Sequence, residues 1–198
     1  METYFDVLCL TREAVSRALR RASDDDSGAL LAVDATVGNG RDTLLLAHHV
    51  GEGGRVYGFD VQRRGLDIAW QRLTKAGMEQ RVTLLHAGHE RMAELLPADA
   101  QGRVRAVMFN LGYLPGSDKN VVTRPETTRA ALAAALSVLA PGGLVSIVAY
   151  PAHPGGAKEL AAVREWCASL AAPPYKAMEY GMANIPDAKR LFLVTRLR

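Results

Sequence analysis

The sequence predicts an α/β fold: a Rossmann-like, mostly parallel seven-stranded sheet with helices on both faces and an antiparallel closing strand. Three observations predict it. Apolar strand-like runs alternate with helical patterns from about residue 29 to residue 171, the order that builds βαβ units. A turn of small residues, Val37-Gly38-Asn39-Gly40, joins the first of these runs directly to a helical pattern. Past residue 172 the alternation stops. Two strand-like runs, 175–180 and 191–197, flank the turn-rich stretch 181–187 with no helix between them.

The elements follow in order. Residues 11–21 read as a short basic helix carrying Arg12, Arg17, Arg20 and Arg21, and the polar stretch 23–28 ends it. Strands are expected near 29–34, 55–60, 81–85, 104–110 and 143–150. Helices are expected near 41–50, 62–77, 89–96, 125–140 and 156–171. No internal repeat or linker interrupts this pattern, so residues 1–198 read as one domain: an N-terminal helix and loop over 1–28 and a core over 29–198.

Bulk properties narrow the function classes. The chain has 198 residues, 48% hydrophobic and 23% charged, an ordinary globular composition. No apolar run is long enough to cross a bilayer, and the first residues lack the basic flank and apolar core of a secretory signal. Cys9 and Cys167 stand alone, as reduced thiols do in a cytoplasmic protein. His48 and His49 fit no metal-ligand spacing, and no metal is expected. The net charge of +3 leans weakly toward an anionic partner.

The turn carries the first chemistry. Thr36, Gly38, Asn39 and Gly40 lie where a strand hands over to a helix, and glycines there let backbone approach a ligand closely. The second expected strand ends in Asp60, about 20 residues past the turn, where an acid can grip two ribose hydroxyls. Gln62 follows it, near the expected adenine edge. His89 opens the helix after the third strand and is placed beside the adenine pocket. The dinucleotide fingerprint needs a third glycine in the helix, and Arg41-Asp42-Thr43 supplies none. Asp34, closing the first strand, would repel a pyrophosphate but suits a cationic amino-acid tail. Its alternative role is that of a turn or cap acid. The pattern therefore favours S-adenosylmethionine over NAD. A parallel sheet finished by an antiparallel strand is also the layout of the class I methyltransferase fold.

The acceptor side lies beyond the fourth strand. Asn110-Leu111-Gly112-Tyr113 resembles the Asn-Pro-Pro-Tyr motif of methyltransferases acting on amino nitrogens, with Leu111-Gly112 in place of Pro-Pro. In that motif the Asn oxygen and a neighbouring carbonyl, here of Leu111, accept from the nitrogen, and the aromatic ring packs on the acceptor. In the following loop Thr123, Pro125 and Glu126 read as a capping box and helix start. Lys119, Arg124, Thr127 and Thr128 are the candidates for holding a phosphate or the acceptor. Tyr150 and His153 emerge after the fifth strand, and His153 could orient the acceptor or take up a proton.

Segments 34–43, 59–62, 88–90, 109–116, 118–119, 125–128 and 153–156 resemble, in order, the bacterial rRNA-methylase family, also called YtqB-like or MnmM. The resemblance runs from about residue 30 to 160. It implies methyl transfer from S-adenosylmethionine to the aminomethyl nitrogen of a modified wobble uridine in tRNA, giving 5-methylaminomethyl-(2-thio)uridine. It also implies a homodimer that engages the anticodon stem-loop. Pro151 and Ala152 depart from the His and Gly that family members often carry there. The alternatives are an rRNA or other amino-nitrogen methyltransferase on the same fold and, less favoured, an NAD-dependent oxidoreductase.

Overall fold

A central strand, β1 (Leu31–Asp34), is buried at every position, as a parallel strand covered on both faces must be. The computed structural model describes residues 6–25, 28–113 and 122–198. The chain order after β1 is α2 (Arg41–His49), β2 (Arg55–Asp60), α3 (Arg63–Lys75), β3 (Val82–His86), α4 (Met92–Leu95) and β4 (Val104–Leu111). Then come α5 (Pro125–Val138), β5 (Leu139–Ala149), α6 (Gly156–Ser169), β6 (Tyr175–Gly181) and β7 (Arg190–Arg196), with α1 (Val7–Asp25) before β1. The seven strands form one sheet in the order β3-β2-β1-β4-β5-β7-β6. Strands β1 to β5 pair in parallel, while β7 inserts between β5 and β6 and is antiparallel to both. The fold class is the one the sequence predicts.

Strand alternation divides the core in two. Leu31, Val33, Phe59, Phe109 and Ile147 face α4, α5 and α6, where Met92, Leu132 and Val163 pack. Leu30, Ala32, Val56, Met108 and Leu144 face the other way, against Val15 and Leu19 of α1, Leu46 of α2 and Leu73 of α3.

Several boundaries differ from the sequence reading, each for a packing reason. Helix α1 is longer than expected, beginning at Val7 and continuing to Asp25. Val7, Thr11, Val15, Leu19 and Ala22 recur at helical spacing and are all buried, so the sheet face sets its length. The expected helix near 89–96 splits into a 3₁₀ turn, His89–Arg91, and the short α4. Strand β5 begins at Leu139 rather than 143, and α5 stops at Val138. Val104 pairs with Leu139 but Ala106 pairs with Leu144, so residues 140–143 form a bulge. Gly142, at φ 78°, supplies the left-handed residue that the bulge requires. No helix among the described residues is long and apolar enough to cross a membrane.

Candidate active site

Strand order reverses between β1 and β4, and open α/β sheets bind ligands in the crevice beyond that point. A cleft of about 710 Å³ opens there. Its first half is built by the loops after β1 and β2. Ala35 N–H donates to Met108 O at 2.8 Å and Val37 N–H to Phe59 O at 3.0 Å, which threads the turn between β4 and β2. Asp60 then holds the turn shut. Its Oδ2 accepts from Gly38 N–H at 2.7 Å and its Oδ1 from Gln62 N–H at 2.8 Å. Each carboxylate oxygen keeps a further lone pair for a ligand hydroxyl.

Thr36, Gly38, Asn39, Asp60, Gln62 and His89 line the cleft together. Gly40 instead supports the turn from behind. It sits at φ 72° as the N-cap of α2, against Ala69 of α3. Arg72, also on α3, donates to Asn39 O at 2.8 Å. His89 is buried, with its ring 5.7 Å from that of Phe109 in an edge contact. Burial lowers its pKa, so the cleft sees a neutral imidazole.

Asp34 does not reach the cleft. It is fully buried beneath the turn, where Oδ1 accepts from Thr36 N–H at 3.1 Å and Oδ2 from the Thr43 hydroxyl at 2.6 Å. The turn-acid alternative is the geometry observed. Burial, and then repulsion from Asp42, push its pKa from 3.8 up to about 7. The folded state therefore holds a proton between those values that the unfolded chain has lost. The resulting stability is fully present below pH 3.8 and is lost as pH rises through about 7. The loss amounts to at most about 1.4 kcal/mol per pH unit. Urea unfolding at pH 5 and pH 8 should show Asp34→Asn gaining roughly 2–3 kcal/mol relative to wild type as pH rises. A difference that does not move with pH would contradict this account.

The second half of the cleft begins at the end of β4. Asn110 N–H donates to Thr36 Oγ1 at 2.7 Å, and its side-chain Nδ2 donates to Asp42 Oδ2 at 2.9 Å. Arg12 Nε of α1 donates to the other Asp42 oxygen at 3.0 Å. Arg12, Asp42 and Asn110 all line the cleft. With its amide nitrogen donating to a carboxylate, Asn110 has no donor on its Oδ1 among the described residues. Leu111, the next residue, is fully buried and does not line the cleft.

Tyr113 lines the cleft and is 39% exposed. It bridges to Val122, and Thr123 N–H donates to Gly112 O at 3.0 Å, which ties together the two ends of segment 114–121. Lys119 lies outside the described residues. Arg124 and Thr127 line the cleft, whereas Thr128 is buried and donates to Glu159 Oε1 of α6 at 2.6 Å. The Thr123 hydroxyl donates to Glu159 Oε2 at 2.7 Å. The expected capping box is therefore absent: α5 has Arg124 at its N-cap with no side-chain cap bond. Glu159 is 2% exposed, and a buried carboxylate without donors is costly, so it draws in both hydroxyls.

Tyr150 and His153 close the far wall. Burial, then Asp42 and Asp6, push the Tyr150 phenol up to about 12. Lys189 Nζ lies 5.8 Å from its ring centroid. Several cleft residues escaped the sequence reading, among them Val61, Asp42 and Arg12. Val61 is 56% exposed and lines the cleft directly after Asp60, where an apolar residue was a readable signal. Asp42, in the first turn of α2, was visible only as part of the turn motif, and Arg12 only as one of four arginines on the basic N-terminal helix. Among the described residues no group of three or more His, Cys, Asp or Glu could hold a metal ion.

Comparison with known proteins adds three kinds of finding. The family model described as "Putative rRNA methylase" matches residues 56–196. The chain is 41% identical over 164 residues to the chloroplastic tRNA (mnm5s2U34)-methyltransferase of Arabidopsis thaliana. That match covers 79% of this chain and 59% of the plant protein, so the chain spans well under two thirds of that relative. Among solved structures, that of a "putative rRNA-methylase" from Clostridium thermocellum superposes with a TM-score of 0.89 at 32% identity, covering 99% of this chain and 100% of that one. A Streptococcus mutans "putative methyltransferase" in complex with SAH superposes with a TM-score of 0.82 at 30% identity, covering both chains fully.

Proposed function

The chain belongs to the rRNA methylase family, and from that membership we propose that it is an S-adenosylmethionine-dependent methyltransferase acting on tRNA. Its acceptor is the 5-aminomethyl nitrogen of the modified wobble (2-thio)uridine, and its product is 5-methylaminomethyl-(2-thio)uridine. The observation that carries this reading is the state of Asn110. Asp42 occupies its amide nitrogen, so an acceptor oxygen remains at the cleft beside Tyr113, which suits a nitrogen that must be held by its N–H groups.

The first half of the cleft fits S-adenosylmethionine by the chemistry of its donors and acceptors. Asp60 retains lone pairs for two ribose hydroxyls, Val61 offers an exposed apolar surface to adenine, and Gly38 and Asn39 leave room for the amino-acid tail. When bound, S-adenosylmethionine supplies an electrophilic methyl group on a sulfonium. The chain supplies placement. The Asn110 oxygen orients the amine, Tyr113 packs on the uracil, and Arg124 and Thr127 stand at the rim on the acceptor side. A wobble base is unpaired in free tRNA and can enter without the cost of breaking a pair.

The SAH held by the Streptococcus mutans structure supports the cofactor, and the substrate in the name of the Arabidopsis relative supports the acceptor. Exposed Arg17 and Arg21 on α1 are suited to the backbone of the anticodon stem, which makes binding salt-sensitive. The reading includes a homodimer, as the family resemblance implies, acting in the cytoplasm, as the isolated cysteines suggest.

The test is transfer from labelled S-adenosylmethionine into tRNA lacking the final wobble methyl, followed by nucleoside mass analysis. A new 5-methylaminomethyl species is expected. Incorporation into rRNA instead would overturn the acceptor and keep the methyl donor.

A further inference from the structure

We propose that His153 is the proton acceptor that frees the substrate nitrogen for attack; this rests on the aminomethyl reading above. His153 lies in the loop between β5 and α6 and lines the acceptor half of the cleft. Its Nδ1 is 3.0 Å from Pro154 O. A carbonyl can only accept, so Nδ1 carries a proton, and in the neutral tautomer that this bond selects the lone pair is at Nε2. That Nε2 is buried and has no hydrogen-bond partner among the described residues.

Buried polar atoms in folded proteins are nearly always satisfied, and an exception calls for a missing partner. The surroundings point to a substrate as that partner. A Cβ on Gly112, two residues past Asn110, would lie 3.7 Å from Nε2, so the lone pair sits beside the backbone that follows the acceptor asparagine. A Cβ on Gly156 would come within 3.0 Å of Nε2 and 2.3 Å of Tyr150 O, so only glycine leaves the imidazole this place. Tyr113 meets the ring edge-on, with centroids 5.9 Å apart and planes at 89°. Tyr113, the ring proposed to pack on the base, is therefore in direct contact with the imidazole.

An alkylamine is mainly an ammonium at neutral pH and has no lone pair to attack with. The ammonium gives one proton to Nε2, which leaves the nitrogen pair free and His153 as imidazolium. That pair forms the new N–CH3 bond while the S–CH3 bond breaks and its electrons remain on sulfur. The product departs as a secondary ammonium, and the imidazolium returns its proton to water. Among the described residues, the other titratable or charged groups of this half of the cleft are Tyr113, Tyr150, Arg12 of α1, Arg41 and Asp42 of α2 and Arg124 before α5. Arg12 and Asp42 are bound to each other, and Asp42 also to Asn110.

Single-turnover methyl transfer into the undermethylated tRNA, measured from pH 6.5 to 9.5, tests the role with full-length wild type, His153→Gln and His153→Ala. At pH 7 the Gln variant should be slower by roughly 10²-fold, the usual lower range for a lost general base. The deficit should shrink as pH rises and the amine loses its proton unaided, closing to within about fivefold at pH 9.5, while S-adenosylhomocysteine affinity by calorimetry stays within about threefold. Added imidazole should restore part of the turnover of His153→Ala. A deficit that is the same at every pH, or one below about threefold at pH 7, overturns proton acceptance and leaves the methyltransferase reading intact. Absence of transfer by wild type overturns the acceptor reading itself, and this inference with it.

Discussion

Asn110→Ala is expected to lower single-turnover methyl transfer by about 10²–10³-fold, the usual effect of deleting one preorganised polar group at a reacting centre. Affinity for S-adenosylhomocysteine should remain within a few fold, because the half of the cleft proposed for the cofactor is held by Asp60 and the turn and not by the Asn110 side chain. The expectation extends along the hydrogen bonds behind Asn110. Asp42→Asn offers one oxygen and one amide nitrogen where two donors, Asn110 Nδ2 and Arg12 Nε, now meet two carboxylate oxygens. One of those donors must then face another donor, so the Asn110 amide loses its fixed orientation. A loss of about tenfold or more is expected for Asp42→Asn and less for Arg12→Ala, and the double variant should be little worse than Asp42→Asn alone. Calorimetry for cofactor affinity and quench-flow for transfer check these values. Unchanged turnover in Asn110→Ala would remove the residue from the mechanism.

Gly40→Val is expected to destabilise the fold by about 2–5 kcal/mol, from two separate causes. A branched side chain at φ 72° is strained, costing roughly 1–2 kcal/mol. Its Cβ would also fall 2.6 Å from Ala69 Cβ and 2.8 Å from Ala69 Cα, inside a close-packed helix contact, for a further ~1–3 kcal/mol. The causes separate in a gentler pair of variants. Gly40→Ala should be partly rescued by Ala69→Gly, which relieves the contact but not the backbone strain. Cofactor affinity should fall with stability, since Gly40 is the N-cap of α2 and α3 also holds the adjoining Asn39 carbonyl through Arg72. Urea unfolding and calorimetry measure both. Wild-type stability in Gly40→Val would show that α3 does not clamp the turn.

The parallel strands, the glycine turn, Asp60 and the Asn110-to-Tyr113 segment were legible because each depends on neighbours close in sequence. A buried parallel strand needs a continuous apolar run, and a ligand-approaching turn needs residues without bulk. Boundaries set by distant packing were less legible. Helix α1 keeps its length because the sheet covers its stripe from Val7 to Ala22, and β5 gains four residues because Val104 pairs with Leu139 across a bulge.

The sequence by itself determined the sheet, the place of the cleft at its switch point, and the chemical types that line it. Only the tertiary structure decided what those side chains touch. Asn110 meets Asp42 across 68 residues, Asp42 meets Arg12 across 30, and Glu159 takes the hydroxyls of Thr128 and Thr123 across 31 and 36. It also turned Asp34 inward as a buried, partly neutral acid under the turn. Local propensity carries no information about such pairs. A buried polar group must find a partner, and which partner stands within reach is fixed only when the sheet brings remote loops to one edge.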